Sequence, residues 1–144
     1  DLTVTGVQTC ALPILLREKA LKEGFFEAIL LDNDNNATEG TISNIFIVKN
    51  KQLRTPSLNE FVLGGIMRKA ILDICKTNNI SFKETAITET DLYEADEIFL
   101  TNSGIEVLPV SNINHRNLKD INPNSMTTRI HTLLLKSFEE SFKK

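Results

Sequence analysis

Three short polar segments hold the residues of this sequence whose types and spacing can do chemistry. The first is EGTISN at 39–44, where Glu39 stands in a predicted turn of small residues, just before a β-branched strand. Glutamate favours neither turns nor strands, so the position calls for a functional reason. A carboxylate held near a strand can accept hydrogen bonds or pair with a cation.

The other two segments are LGGIMR at 63–68 and TNSG at 101–104. In the first, a Gly-Gly pair leads into a predicted helix. The free N–H groups and the positive end of a helix start favour binding of a phosphate, and glycine, which has no side chain, lets the phosphate come close to the backbone. In the second, Ser103 follows a predicted strand and can offer a hydroxyl to the same anion. Taken alone, each segment also fits an ordinary turn, and the chain has no P-loop motif.

The elements that position these segments follow from hydrophobic spacing and turn residues. We predict helices over 15–24, 65–79 and 88–95, the last capped by Thr88 with Asp91, and a final helix opened by Pro123. Its apolar stripe is Met126, Ile130, Leu133, Leu134 and Phe138. We predict strands over 26–32, 80–87, 96–102 and 104–110. We also predict a strand that starts near residue 37 and a β-hairpin over 43–56. This mixture predicts one mixed α/β or α+β domain.

Together, the segments resemble the signature of the class IV aminotransferases, the fold-type IV pyridoxal-phosphate enzymes. That family includes branched-chain and D-amino-acid aminotransferases and aminodeoxychorismate lyase. The resemblance rests on Glu39-x-Thr41-x-x-Asn44-Ile45-Phe46, Leu53-x-Thr55 and Leu63-x-Gly65-Ile66-x-Arg68, with EAILLD before them and ADEIFLTNS and VLPV after them. It covers residues 15–144 and implies the larger, C-terminal domain of the D-amino-acid-aminotransferase-like fold, incomplete at its N-terminus.

The resemblance implies pyridoxal 5'-phosphate as the cofactor. The glutamate matching Glu39 reaches the pyridine nitrogen and keeps it protonated, which makes the ring a better electron sink. The segment matching Gly65, Ile66 and Met67 holds the phosphate through backbone N–H groups. Many members have threonine where this chain has Met67, so that hydroxyl is lost, and Ser103 falls where it can compensate.

Two further matching positions are expected to be structural. Arg68 is expected to pair with a carboxylate, and Asn44 to hold its own turn through side-chain to backbone hydrogen bonds.

The segment DLTVTGVQTCALPI at 1–14 shows neither helical periodicity nor strand alternation, and 4–14 reads like a translated sequencing adapter. We expect it to be non-native, which would include Cys10. The Schiff-base lysine of the family would fall near Thr5, and no lysine precedes Lys19, which lies at the wrong spacing. We therefore expect this chain to contain no catalytic residue and to be an inactive fragment of an enzyme.

The implied reaction is transfer of an amino group between an amino acid and a 2-oxo acid. Aminodeoxychorismate lyase, which releases pyruvate while making 4-aminobenzoate, remains an alternative. So does a non-catalytic domain that binds phosphate or a partner through Gly64 and Gly65. The family implies a homodimer of the full-length parent.

Composition excludes several other classes of function. A net charge of −3 over 144 residues gives no reason to expect nucleic acid or a membrane surface, and no apolar run reaches the roughly 18 residues of a bilayer span. We see no secretory signal and expect a cytoplasmic protein. Cys75 is predicted to be buried, and His115 and His131 show no metal-ligand pattern. The acidic residues Glu89, Asp91, Glu94, Asp96 and Glu97 are predicted to form a solvated face.

Overall fold

The described part of the chain, residues 2–6, 13–59, 62–118 and 122–143, forms two β-sheets and four helices in a computed structural model. In chain order the elements are β1 (Leu2–Gly6), α1 (Pro13–Lys22), β2 (Glu27–Leu31), β3 (Asn36–Gly40), β4 (Asn44–Lys49), β5 (Gln52–Thr55), α2 (Ile66–Thr77), β6 (Phe82–Glu84), β7 (Ile87–Thr88), α3 (Glu89–Glu94), β8 (Glu97–Asn102), β9 (Glu106–Pro109), β10 (Asn112–Ile113), β11 (Arg116–Asn117) and α4 (Met126–Phe142). The predicted mixed α/β class is confirmed. None of the described helices is long and apolar enough to cross a membrane.

The two sheets divide the strands in a way that decides where a site can form. One sheet has the order β11-β10-β1-β2-β3-β7, and the other has β6-β5-β4-β8-β9. Because β3 lies in the first sheet and β4 in the second, residues 41–43 cross from one sheet to the other. Strand β8 pairs antiparallel with β4, from Asn44 opposite Thr101 to Val48 opposite Glu97.

The main core lies on both faces of β4, whose side chains alternate between two apolar clusters. Ile45 and Ile47 face the first sheet, whereas Phe46 and Val48 face α2 and α4. All four are at most 2% exposed. Burying each such side chain contributes about 1.5–3 kcal/mol, so β4 is a fixed platform for the residues at its start.

The predicted amphipathic helices pack on the outer face of the second sheet. Ile71 and Cys75 of α2 and Ile130 and Leu134 of α4 are fully buried there. Burial raises the pKa of the Cys75 thiol to about 11. The prediction that Cys75 is a buried apolar residue is confirmed.

Two predicted elements are wrong in their bounds. The strand predicted over 80–87 is two short strands in different sheets, because β6 pairs with β5 and β7 pairs with β3. The last helix begins at Met126 rather than at Pro123, because Ser125 is its N-cap and accepts a hydrogen bond from the Thr128 N–H.

The backbone of residues 2–6 forms a strand that the sequence pattern did not predict. β1 pairs in parallel with β2, from Leu2 opposite Glu27 to Gly6 opposite Leu31, and the helix that follows already begins at Pro13. The non-native origin of 1–14 stays a prediction, and Cys10 lies outside the described residues.

The predicted solvated acidic face is correct for Glu89 and Glu94, which are exposed, and wrong for Asp91 and Glu97, which are partly buried. Asp91 completes a capping box with Thr88 and pairs with Arg54 at 3.1 Å. Glu97 accepts hydrogen bonds from the first N–H groups of α4. These carboxylates therefore stabilise helix starts and loops.

Candidate functional site

The three polar segments of the sequence meet at one cavity of about 260 Å³. All five predicted cofactor-binding residues line it, namely Glu39, Gly65, Ile66, Met67 and Ser103. The other described residues of its wall are Gly40, Thr41, Ile42, Ser43, Asn44, Leu63, Thr101 and Asn102. Glu39 is the one charged side chain among these lining residues.

The sheet register explains why segments so far apart in sequence meet. Asn44 opens β4 and stands opposite Thr101 near the end of β8, so the loops flanking these residues are neighbours. The Asn102 amide nitrogen donates to the Ile42 carbonyl at 2.9 Å, which ties the two loops together. The Asn102 amide oxygen also accepts from the Gly104 N–H at 2.8 Å and so shapes the turn that carries Ser103.

Glu39 lies inside strand β3, as the strand predicted from 37 implies, and not in the turn of small residues that was also predicted there. Its side chain is half-buried, and one carboxylate oxygen accepts a hydrogen bond from the Leu63 N–H at 3.0 Å. Burial raises the pKa of Glu39 above its ordinary value; the Leu63 N–H opposes this, and the negative charge of Glu27 adds to it. The site therefore favours a proton or a cationic partner at this carboxylate.

Asn44 connects the Glu39 side of the cavity to the glycine turn. Its amide nitrogen donates to the Leu63 carbonyl at 2.9 Å, so Leu63 is held on its N–H by Glu39 and on its carbonyl by Asn44. We predicted that Asn44 would hold its own turn, and the structure shows that it reaches across to this other segment. Asn44 also fills the space beside Gly65, where any Cβ would lie within 3.0 Å of the amide oxygen.

The start of α2 faces the cavity without a side-chain cap. Gly65 is the N-cap residue with extended backbone angles, no side chain accepts from the first turn, and that turn has no acidic residue. The first N–H groups of a helix have no partner within the helix, so this end attracts an anion. Ile66 is 81% exposed, whereas Met67 is 7% exposed and packs in the core, so Met67 offers the cavity its backbone only.

Ser103 is exposed at the opposite edge of the cavity. The neighbouring hydroxyl of Thr101 donates to the Glu106 carbonyl and is thus used within the β8–β9 hairpin. Ser103 therefore supplies the hydroxyl of this loop that faces solvent beside the cavity.

Sequence reasoning missed Glu27, a fully buried carboxylate behind the cavity wall. It accepts hydrogen bonds from the Thr41 and Ile42 N–H groups at 3.0 and 3.2 Å and from the Ser43 hydroxyl at 2.9 Å. The available signal was an acidic residue inside the otherwise apolar run of a buried strand, which requires compensating partners.

The predicted structural role of Arg68 is confirmed. Its guanidinium pairs with Glu84 at 2.6 Å and donates to the Pro56 carbonyl at 3.1 Å, and it does not line the cavity. These bonds fix the α2 start against β6 and the residues after β5.

A larger cavity of about 650 Å³ lies elsewhere, beside Lys51 and Arg129 at the start of α4. There Glu97 already accepts from the Thr127 N–H at 2.8 Å and the Met126 N–H at 3.1 Å. A bound anion would compete with that carboxylate, so we place the functional site at the smaller cavity.

The two histidines lie in different surroundings. His115 is exposed and packs near the Phe25 ring, and His131 lies 3.3 Å from the Glu106 carboxylate. Among the described residues no group of three His, Cys, Asp or Glu side chains is placed to hold a metal ion.

Comparison with known proteins gives one family. A family model described as amino-transferase class IV matches residues 9–113. The D-alanine aminotransferase of Bacillus licheniformis is 34% identical over 124 residues, covering 86% of this chain and 44% of that protein. A probable branched-chain-amino-acid aminotransferase of Aquifex aeolicus is 42% identical over 105 residues, covering 72% of this chain and 34% of that protein.

Solved structures agree with this result. A branched-chain aminotransferase from Thermoproteus uzoniensis superposes with a TM-score of 0.81 at 32% identity, covering 86% of this chain and 41% of that one. The branched-chain amino acid aminotransferase of Escherichia coli superposes with a TM-score of 0.88 at 26% identity, covering 96% of this chain and 50% of that one. The chain spans less than half the length of the Bacillus licheniformis and Aquifex aeolicus relatives.

Proposed function

The chain belongs to the class IV aminotransferase family, and on that premise we propose that it is the cofactor-holding domain of a pyridoxal 5'-phosphate-dependent aminotransferase. The parent enzyme would move an amino group between an amino acid and a 2-oxo acid. The observation that carries this proposal is the meeting of Glu39 and the uncapped start of α2 at one cavity.

The residues of the cavity fit the two ends of pyridoxal phosphate. The cofactor has a basic ring nitrogen at one end and a phosphate at the other. Leu63 links the groups that would meet them, because its N–H donates to Glu39 and its carbonyl accepts from the Gly65 N–H at 3.1 Å. The absence of a Cβ at Gly65 lets this turn pack directly against the Asn44 amide, which holds the Leu63 carbonyl.

Glu39 would hold a proton at the ring nitrogen. Burial disfavours the charged form of Glu39, so the carboxylate would attract a cationic partner, and that partner would lower the pKa of Glu39 again. When bound, the cofactor supplies an electron sink for a substrate that loses its α-proton, and a protonated ring nitrogen strengthens it. Glu39 therefore acts as an electronic tuner and not as a general base.

The phosphate would lie against the first N–H groups of α2, at Ile66 and Met67, with the Ser103 hydroxyl opposite. Since no acidic side chain stands in the first turn of α2, nothing in that turn competes with the anion. Backbone donors on a packed helix are already oriented, so binding costs little reorganisation.

The cavity is smaller than the roughly 300–1,000 Å³ of typical small-molecule sites. Its mouth is apolar, with Leu63 at 73%, Ile66 at 81% and Ile42 at 45% exposure. Exposed apolar rims of this kind favour a covering partner. This supports the proposal that another domain and a second subunit of a homodimeric parent complete the site. The cytoplasmic location of that parent stays a prediction.

No lysine lines the cavity among the described residues. We therefore expect this chain to bind the cofactor without a covalent bond and to show no turnover. The lyase alternative has no observation in its favour here, whereas the named relatives are aminotransferases of D-alanine and branched-chain amino acids.

The test is calorimetric titration of the chain with pyridoxal 5'-phosphate and with inorganic phosphate. Glu39→Gln should weaken the binding of pyridoxal 5'-phosphate about 10- to 100-fold, which corresponds to the loss of one charged hydrogen bond. It should leave the affinity for inorganic phosphate unchanged. Glu139→Gln, a matched change on the exposed face of α4, should affect neither. Binding of phosphate alone, with no response to Glu39→Gln, would favour the non-catalytic phosphate-binding alternative and refute our proposal.

A further inference from the structure

Glu27 is an ionisable side chain in the first residue of β2 with no exposure to solvent. Burying a carboxylate is costly unless hydrogen bonds and charges compensate it. One positive charge, Arg17 of α1, contributes an ion pair at 3.7 Å. That distance is too long for a strong hydrogen bond, so most of the compensation must come from other donors.

Those donors come mainly from the three residues that cross between the two sheets. One carboxylate oxygen accepts from the N–H and the hydroxyl of Thr41, and the other accepts from the Ile42 N–H and the Ser43 hydroxyl. Four donors in three consecutive residues converge on one carboxylate. Hydrogen bonds to a charged acceptor are the strong ones, so this loop has one preferred position.

Packing around Glu27 leaves little room for another arrangement. A Cβ on Gly40 would lie 2.7 Å from a Glu27 oxygen, so the carboxylate sits directly against the backbone that follows Glu39. On the far side, Asn102 donates to the Ile42 carbonyl. The loop is thus held from the strand behind it and from the neighbouring loop in front.

We propose that Glu27 is a positioning residue of the cofactor site, whose carboxylate fixes the Thr41–Ser43 loop as one wall of the cavity and so holds Glu39 in register with the start of α2. This inference rests on the proposed function, because the register matters for a ligand that touches both groups. Glu27 itself is not among the residues that line the cavity.

The first test uses the ligand-free 144-residue chain and NMR. In Glu27→Gln, the Thr41 and Ile42 amides should exchange with solvent about 10- to 100-fold faster, because neutral acceptors replace a charged one. The pKa of Glu39 should also fall, since the Glu27 charge adds to its rise. Loss of the Glu27 charge alone would produce this fall, so the position of the loop is read from the amide exchange. Asp32→Asn is the matched control, because Asp32 accepts from the Asp34 and Asn36 N–H groups at the other end of the same hairpin.

The second test measures the affinity for pyridoxal 5'-phosphate, which should fall in Glu27→Gln and be unchanged in Asp32→Asn. If wild type binds the cofactor while Glu27→Gln changes neither the amide exchange nor the affinity, the inference is overturned. If the loop loosens as expected but wild type binds no cofactor, the proposed function fails while the loop contact stands.

A milder variant keeps the inference testable if Glu27→Gln does not fold. Thr41→Val removes one hydroxyl donor and leaves the buried charge in place. The Ile42 amide should then exchange faster, and Thr41→Ser should restore its protection. Unchanged exchange in Thr41→Val would overturn the inference.

Discussion

The glycine turn at the start of α2 allows a sharp test because two adjacent glycines differ in their surroundings. A Cβ on Gly65 would come within 3.0 Å of the Asn44 amide oxygen, whereas a Cβ on Gly64 would meet Leu58 at 3.5 Å, an ordinary contact. Neither glycine has a positive φ, so alanine strains the backbone at neither position. The comparison therefore isolates the clash with Asn44.

The cost of Gly65→Ala can be worked out from that clash. Asn44 is 8% exposed, and moving it breaks its 2.9 Å bond to the Leu63 carbonyl. Leaving such buried groups unpaired costs about 1–3 kcal/mol, and alanine returns about 0.4–1 kcal/mol by restricting the unfolded chain. The net loss should be roughly 1–2 kcal/mol, which lowers the Tm by about 2–4 °C per kcal/mol.

The assay is urea unfolding followed by circular dichroism, together with titration of pyridoxal 5'-phosphate. Gly65→Ala should lower the unfolding midpoint and weaken binding, because the new methyl group displaces Asn44 and so disturbs Leu63, which Asn44 and Glu39 hold between them. Gly64→Ala should be neutral or stabilising by up to about 1 kcal/mol. In an Asn44→Ala background the stability penalty of Gly65→Ala should shrink, as a double-mutant cycle would reveal.

Two results would refute this reasoning. Equal penalties for Gly64→Ala and Gly65→Ala would mean that the Asn44 contact is irrelevant. An unchanged penalty for Gly65→Ala in the Asn44→Ala background would mean that the loss has another origin.

Three further predictions follow from the titratable groups. Because the folded state raises the pKa of Glu39, ionisation of this carboxylate destabilises the folded chain as pH rises above about 4.3. In urea unfolding without ligand, Glu39→Gln should therefore be more stable than wild type at pH 7. This gain should vanish at low pH, where the carboxyl group is protonated in both states. Burial pushes the pKa of Asp91 up, but hydrogen bonds from Thr88 and Arg54 hold it below its ordinary value. Asp91→Asn should therefore cost about 1 kcal/mol at pH 7, and that cost should fade as pH drops below about 3.9; a loss that is constant down to pH 2 would contradict the capping role. Cys75 is buried and its pKa is raised to about 11, so it should react with iodoacetamide at least about 100-fold more slowly than a free cysteine at pH 8. Peptide mass spectrometry should find it labelled only on unfolding. Rapid labelling of the native chain would refute its burial.

Local sequence patterns predicted most of the elements near the site. The alternation Ile45, Phe46, Ile47, Val48 predicted a strand, and the structure buries this strand on both faces. Gly24 ends α1 with a φ of +88°, as a glycine stop predicts. These signals work because they depend on a few neighbouring residues and on burial, which the sequence itself encodes.

Where the local preference of a segment and its long-range strand pairing differ, the pairing determines the secondary structure that forms. Small residues around Glu39 predicted a turn where a strand from 37 was also predicted, and the pairing of β3 with β2 and β7 places Glu39 within the strand. The stretch 80–87 looked like one strand, but its two ends pair with different sheets. Sheet membership depends on partners far away in sequence, so periodicity cannot assign it.

The sequence by itself determined the types of the functional groups: one carboxylate at 39, a glycine turn before a helix at 65, and a hydroxyl at 103. Tertiary structure alone decided that these groups share a cavity, and that Glu27 and Asn44 hold its walls. The physical reason is that hydrogen bonds between segments 14 to 60 residues apart are specified by the packing of two sheets and not by any local pattern.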